Sequence, residues 1–137
     1  MSAFLDDMVA RARTEKKTIV LPEGNDPRTL EAASKILADN VANLIILGDE
    51  EQILKSPYDL EGAKIVDVAT YAERELLAQE LFKAREHKGM TIEEARAKLD
   101  DVLYFGVMMV KTGKADGMVA GACHSTGDVL RPSLQIL

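Results

Sequence analysis

The chain has 137 residues, 47% of them apolar and 29% charged, and 17 Lys and Arg against 23 Asp and Glu leave a net charge of −6. That is ordinary globular composition for one domain with a sizeable core; it excludes intrinsic disorder and the broad basic footprint of a nucleic-acid binder. A single cysteine, Cys123, rules out an internal disulfide, and no apolar run is long enough to span a membrane, so the reducing cytoplasm is the expected location.

In chain order, Phe4, Leu5, Met8, Val9 and Ala12 recur at helical spacing and predict a first amphipathic helix. The segment 1–13 mixes charges with apolar residues, unlike a signal peptide. Residues 17–21 read as a short buried strand rich in β-branched side chains. The turn 22–27 opens a helix that Asn25 or Asp26 can cap, with Pro27 suited to its first position. That helix carries Leu30, Ala33, Ile36 and Leu37 inward and stops near residues 39–40. Residues 43–47 form a second strand, 49–54 a short helix, and 64–68 a third strand. This alternation predicts a three-layer α/β/α fold with a mainly parallel sheet covered by helices on both faces.

A long helix over 71–87 follows, closed by Gly89, and Thr91 with Glu94 has capping-box spacing for the next. Residues 102–110 are apolar almost all round. Their length allows helix or strand; Asp100 or Asp101 before them and Lys111-Thr112-Gly113 after favour a buried helix, with Gly106 permitting close approach to a neighbour. Residues 117–120 are the last strand. The final helix begins near Asp128 and is cut at Leu137 without a stop signal, so the chain reads as the N-terminal part of a longer protein.

The most informative stretch is 116–132, DGMVAGACHSTGDVLRP. A strand that ends in small, hydroxyl-bearing residues and feeds a helix can seat an anion. Outward N–H groups, the helix dipole and the lack of bulky side chains all favour it. Gly121 permits close approach, Ser125 and Thr126 supply hydroxyls, and Arg131 adds a guanidinium matched to phosphate or carboxylate oxygens. Placed in the first turn of its helix, Arg131 opposes the dipole, a cost that ligand contact would offset.

Three segments resemble the phosphate acetyltransferase family: LPEGNDPRT at 21–29, REHKGMT at 85–91 and YFGVMMVKTGKADGMVAGACHSTGDVLRPSLQI at 104–136. The resemblance implies an enzyme interconverting acetyl-CoA plus phosphate with acetyl phosphate plus CoA. It implies a subunit of two α/β domains around a cleft, commonly dimeric. It places the thiol-activating carboxylate and a serine in a C-terminal domain that is absent here, so residues 1–137 are expected to be inactive alone. This chain would then supply phosphate-side groups: Ser125 and Arg131 in catalysis, with Thr126, Arg85, His124 and Gly121 contacting substrate. Coenzyme A enters as substrate; no bound cofactor or metal is implied, and neither nucleic acid nor membrane is a partner. The alternative is a non-catalytic acyl-CoA-sensing domain.

Plainer roles compete at several positions. Ser125 or Thr126 can simply cap the last helix, and Arg85 can serve a helix end alongside His87 and Lys88. Arg28 more readily pairs with Glu23 or Asp26 to hold its turn, and Asp128 suits a helix start. Cys123 and His124, adjacent in an extended loop, should point apart and so form no nucleophile–base pair; a small buried Cys123 and an orienting His124 are expected. Two histidines and one cysteine offer no metal-ligand spacing.

Overall fold

Four parallel strands form the centre of the computed structural model, which describes residues 3–137. They are β1 (Lys17–Leu21), β2 (Ala42–Leu47), β3 (Lys64–Val66) and β4 (Gly117–Met118), in the order β3-β2-β1-β4. Around them lie α1 (Ala3–Thr14), α2 (Pro27–Asp39), α3 (Glu50–Leu54), α4 (Arg74–Arg85), α5 (Ile92–Lys98), α6 (Val102–Lys111) and α7 (Thr126–Ile136).

Successive side chains of a strand point to opposite faces, and the two cores follow that alternation. Leu21, Leu44 and Ile46 face α2 and α3 and pack with Leu30, Ala33 and Ile53. Val20, Ile45, Leu47 and Val66 face the other way, onto Leu77, Leu81, Phe105, Met108 and Ile136 from α4, α6 and α7. The sheet is therefore buried on both sides, the condition a parallel sheet requires. Every residue of α6 from Leu103 to Met109 is buried, so the apolar run is the helix its flanking residues predict, with Asp101 as its cap. Met108 and Met109 are core.

The helix ends follow cap chemistry. Asp26 caps α2 by accepting from the Arg28 N–H, Pro27 occupies the first turn, and Asn40 ends the helix in the left-handed region at φ 57°. Thr91 accepts from the Glu94 N–H to start α5, and Gly89 (φ 88°) closes the short 3-10 turn Glu86–Lys88 after α4. Several boundaries differ from expectation, and α4 begins at Arg74 rather than near residue 71. The third strand stops at Val66 because Asp67 turns the chain, its carboxylate accepting from the Ala69 N–H. Met118 ends the fourth strand, two residues early. The last helix starts at Thr126, with Ser125 as its cap, so Arg131 falls in the second turn and the dipole cost expected of a first-turn arginine does not apply.

Helix α1 forms, but none of its residues is buried, and Phe4, Leu5 and Met8 face solvent. Arg13 Nε of this helix donates to the Asp39 carbonyl of the body at 2.8 Å. The segment 1–13 read from sequence includes Met1 and Ser2, which lie outside the described residues.

Close backbone approach fixes the turn after β1. Gly24 donates its N–H to the Leu47 carbonyl at 3.1 Å, and a Cβ on Gly24 would lie 2.3 Å from that same oxygen. A backbone atom cannot step aside as a flexible side chain can. Gly24→Ala is therefore expected to lower unfolding free energy by about 2 kcal/mol in urea denaturation. Gly127→Ala, whose added Cβ meets nothing nearer than 3.9 Å, should be neutral or gain up to ~1 kcal/mol from helix propensity.

Candidate active site at the carboxyl ends of β1 and β4

The chain leaves β1 towards β2 and β3 on one side, then returns to place β4 on the other. Strand order thus reverses between β1 and β4, and in open α/β sheets the crevice beyond the carboxyl ends at such a point is where ligands bind. Two loops meet there: residues 22–26 after β1, and residues 119–125 after β4.

They are joined through one carboxylate. Glu23 is 2% exposed. Its Oε1 accepts from the N–H groups of Gly121 (2.8 Å) and Ala122 (2.9 Å). Its Oε2 accepts from the N–H groups of Cys123 (2.8 Å) and His124 (3.0 Å) and from the His124 ring Nδ1 at 2.8 Å. An ionised carboxylate only accepts, so Nδ1 carries the proton and Nε2 is left for other partners. The small-residue loop does present its amides to an anion, as its sequence predicts. That anion is the protein's own.

Burial alone would raise the Glu23 pKa; hydrogen bonds from the Cys123 N–H, the His124 ring and the Ala122 N–H outweigh it and hold the group at about 2. Alongside, Arg28 binds Asp26 through Nε (3.1 Å) and Nη2 (2.7 Å), as its turn-holding role predicts, and Nη2 also donates to the Ala122 carbonyl. The Arg28 guanidinium in turn holds the Asp26 carboxyl below its usual range. The two loops are thus strapped in both directions.

The other sequence-predicted residues divide. His124, Thr126 and Gly121 converge on a cavity of about 180 Å³ between the loop and α7, completed by Ala120, Val129 and Leu130. The Thr126 hydroxyl and His124 Nε2 have no protein partner among the described residues. Ser125 Oγ accepts from the Asp128 N–H at 3.1 Å and serves as the α7 cap. Arg131 is 60% exposed, 3.5 Å from Asp128, and roughly 140° round the helix from Thr126 at 100° per residue. Arg85 is elsewhere: its Nη1 reaches the Gln135 carbonyl at 3.4 Å, about 15 Å along the α7 axis from Ser125.

Cys123 departs from expectation. It is exposed rather than buried, and its Sγ sits 3.6 Å from His124 Nδ1 rather than pointing away. The contact does not activate it: desolvation and the neighbouring Glu23 charge raise the thiol pKa, and the Nδ1 proton is committed to Glu23. Glu23, Cys123 and His124 do bring ligand atoms within 4.8 Å of one another. A cation there would face N–H dipoles aimed at both carboxylate oxygens, an arrangement suited to negative charge.

Sequence reasoning missed Glu23 as the organising group. The available signal was the pairing of an amide-rich loop with a lone acidic residue at the carboxyl end of another strand of the same sheet.

A buried carboxylate held at about 2 against a reference of 4.5 corresponds to stabilisation on the order of 3 kcal/mol. Its folded pKa is depressed, so that stability is complete above about pH 4.5 and is lost as pH falls towards 2. Glu23→Gln keeps the shape but turns an N–H₂ towards N–H donors. The expected loss is about 2–4 kcal/mol at pH 7. The gap between wild type and variant in denaturant midpoint should close between pH 4.5 and 2; a constant gap over that range would contradict an ionised Glu23.

The profile of the phosphate acetyl/butaryl transferase family matches residues 3–137. The phosphate acetyltransferase of Acetivibrio thermocellus is 49% identical over 137 residues, covering 98% of this chain and 41% of the relative. That of Bacillus subtilis is 46% identical over 123 residues, covering 87% and 38%. A phosphotransacetylase from Streptococcus pyogenes superposes with a TM-score of 0.89 at 38% identity, covering all of this chain and 43% of that one. The EutD phosphotransacetylase from Staphylococcus aureus gives 0.84 at 38% identity, over 96% and 42%. The chain spans about two fifths of the length of these relatives, and over that span it belongs to the phosphate acetyl/butaryl transferase family.

Proposed function

We propose that this chain is the N-terminal α/β domain of an acyltransferase that interconverts acetyl-CoA plus phosphate with acetyl phosphate plus CoA, and that it supplies the phosphate-side groups. The observation that carries the reading is the loop 121–125, fixed by Glu23 at the point where strand order reverses. A pre-set loop beside free polar groups costs no reorganisation when a transition state forms. Thr126 donates its hydroxyl to a substrate oxygen, His124 Nε2 lies beside it, and Arg131, free of any buried partner, swings to a phosphate oxygen. Ser125 holds the start of α7 and so sets where Thr126 stands.

In the reaction, the CoA thiol loses its proton and attacks the acyl carbonyl of acetyl phosphate. The carbonyl oxygen takes up negative charge, and phosphate departs as the carbonyl re-forms. A base is needed for the thiol. Glu23, held at about 2 by its donors, is ionised at neutral pH but far too weak to take that proton. As the family resemblance implies, the base belongs to a C-terminal domain, as does the other side of the cleft. The complete enzyme works in the cytoplasm as a homodimer with acetyl-CoA, CoA, phosphate and acetyl phosphate as its partners, and without a bound cofactor. Among the described residues no helix is long and apolar enough to cross a membrane.

The alternative, a domain that senses acyl-CoA without turning it over, shares the binding groups and differs only in what supplying the C-terminal part does. Thiol release from acetyl-CoA in phosphate buffer should stay at background for residues 1–137 and appear when that part is supplied. Turnover by the chain alone at a full-length relative's rate would sink the division of labour; binding with no restored turnover would favour the sensor. Arg131→Ala should weaken acetyl phosphate binding by about tenfold or more in calorimetry, the weight of a charge-assisted hydrogen bond.

A further inference from the structure

The cavity beside α7 has a composition that a phosphate group would not choose. Ala120, Val129 and Leu130 line it with Gly121, and the polar groups are the Thr126 hydroxyl and the His124 ring. The loop amides at 121–124 that would draw an anion are spent on Glu23, whose negative charge lies directly behind the loop. At about 180 Å³ the cavity falls below the roughly 300–1,000 Å³ that encloses a whole small ligand. It fits a fragment of one: a short alkyl chain with one oxygen at its root.

We propose that this cavity receives the acyl group of the substrate, with Val129 and Leu130 against the alkyl chain and Thr126 at the carbonyl oxygen, so that these side chains set the acyl length accepted. The proposal rests on the acyltransferase reading above and adds to it the specificity element. Helix spacing supports it: Thr126, Val129 and Leu130 stand at i, i+3 and i+4 and share one side of α7, so the hydroxyl and the two apolar side chains face a common occupant. Leu130 is half exposed, its outer surface unfilled by the protein itself. Ala120 also lines the space, so a larger side chain there would reduce it. Burying one methylene is worth about fourfold in affinity, so a chain that fits should gain by that factor per carbon until the wall is met.

The test is calorimetry on the 137-residue chain with CoA and with acetyl-, propionyl-, butyryl- and hexanoyl-CoA, read as the affinity of each thioester relative to CoA. The ratio cancels everything but the acyl group. Wild type should rise about fourfold per methylene over the short chains and then fall. Leu130→Ala should move the maximum towards longer chains, and Ala120→Val towards shorter ones. Leu134→Ala, one turn further along α7, 81% exposed and outside the cavity, should leave the profile unchanged and serves as the folding and surface control. Thioesters that bind with the same length profile in wild type, Leu130→Ala and Ala120→Val would overturn the acyl pocket while leaving the acyltransferase reading intact. Failure of every thioester to bind would overturn the pocket, and failure of acetyl phosphate to bind as well would count against that reading.

Discussion

A carboxylate taken out of water must find compensation, and Glu23 finds it in five N–H donors from four consecutive residues of another loop. The bonds run across sequence separations of 98 to 101 residues. They can form only once β4 has paired alongside β1, so the geometry of the site is a consequence of completing the sheet. The dependence also runs the other way. Removing the charge would leave four loop amides pointing at one another's dipoles, and β4, with two residues in the ladder, has little of its own to hold the loop after it. Arg28 strengthens the same connection with opposite polarity, donating to the Ala122 carbonyl while bound to the Asp26 that caps α2. Helix α2, the turn after β1 and the loop after β4 are in this way one unit.

That unit explains why a strongly acidic group sits in what reads as an anion site. An amide-lined loop left empty would be exposed to any phosphate in solution and would have no fixed shape without one. Filling it with Glu23 gives the loop a single conformation in advance and, on the function proposed above, moves ligand recognition outward to the groups the carboxylate does not use. Those are the Thr126 hydroxyl, His124 Nε2 and the guanidinium of Arg131. The His124 ring is oriented because its Nδ1 proton is held, so the other nitrogen has a defined direction. Donors preset by covalent and hydrogen-bonded neighbours are worth more to catalysis than donors that must be gathered by the ligand.

Much of the fold was legible because its signals are local. The continuous apolar runs within 17–21 and 43–47, the caps at Asp26, Thr91 and Asp101, and the left-handed Gly89 each act within a few residues. The run 102–110 is ambiguous by periodicity and is settled by its flanks. What escaped was non-local. The sequence carries no mark of β4 lying beside β1 rather than beyond β3, and hence none of where strand order reverses. For the same reason Ser125, Thr126, Arg131 and Arg85 read as one cluster, although α7 turns Arg131 away from Thr126 and holds Arg85 at its far end. Extended-chain geometry also misjudged Cys123 and His124: in a loop wrapped around a carboxylate, successive N–H groups converge, and adjacent side chains follow.

The surface has the same logic as the site. Six exposed large apolar residues, Phe4, Leu5 and Met8 on α1 and Leu130, Leu134 and Leu137 on and just after α7, lie on the two terminal elements, while Leu54, Leu76 and Val119 are exposed singly elsewhere. Helices α2, α4 and α6, between them, bury their stripes in the two cores. Arg13 of α1 donates to the Asp39 carbonyl, a polar contact with the body, while Phe4 and Met8 on the same helix are exposed. α7 is different: Pro132 and Ile136 anchor one side in the core, and Tyr104 donates its hydroxyl to Gln135 at 2.9 Å. Its exposed side can therefore receive another surface or a substrate without the helix moving. Anchored on the inside and apolar on the outside, α7 offers a fixed wall rather than a moving one, because the side that faces the core is already packed.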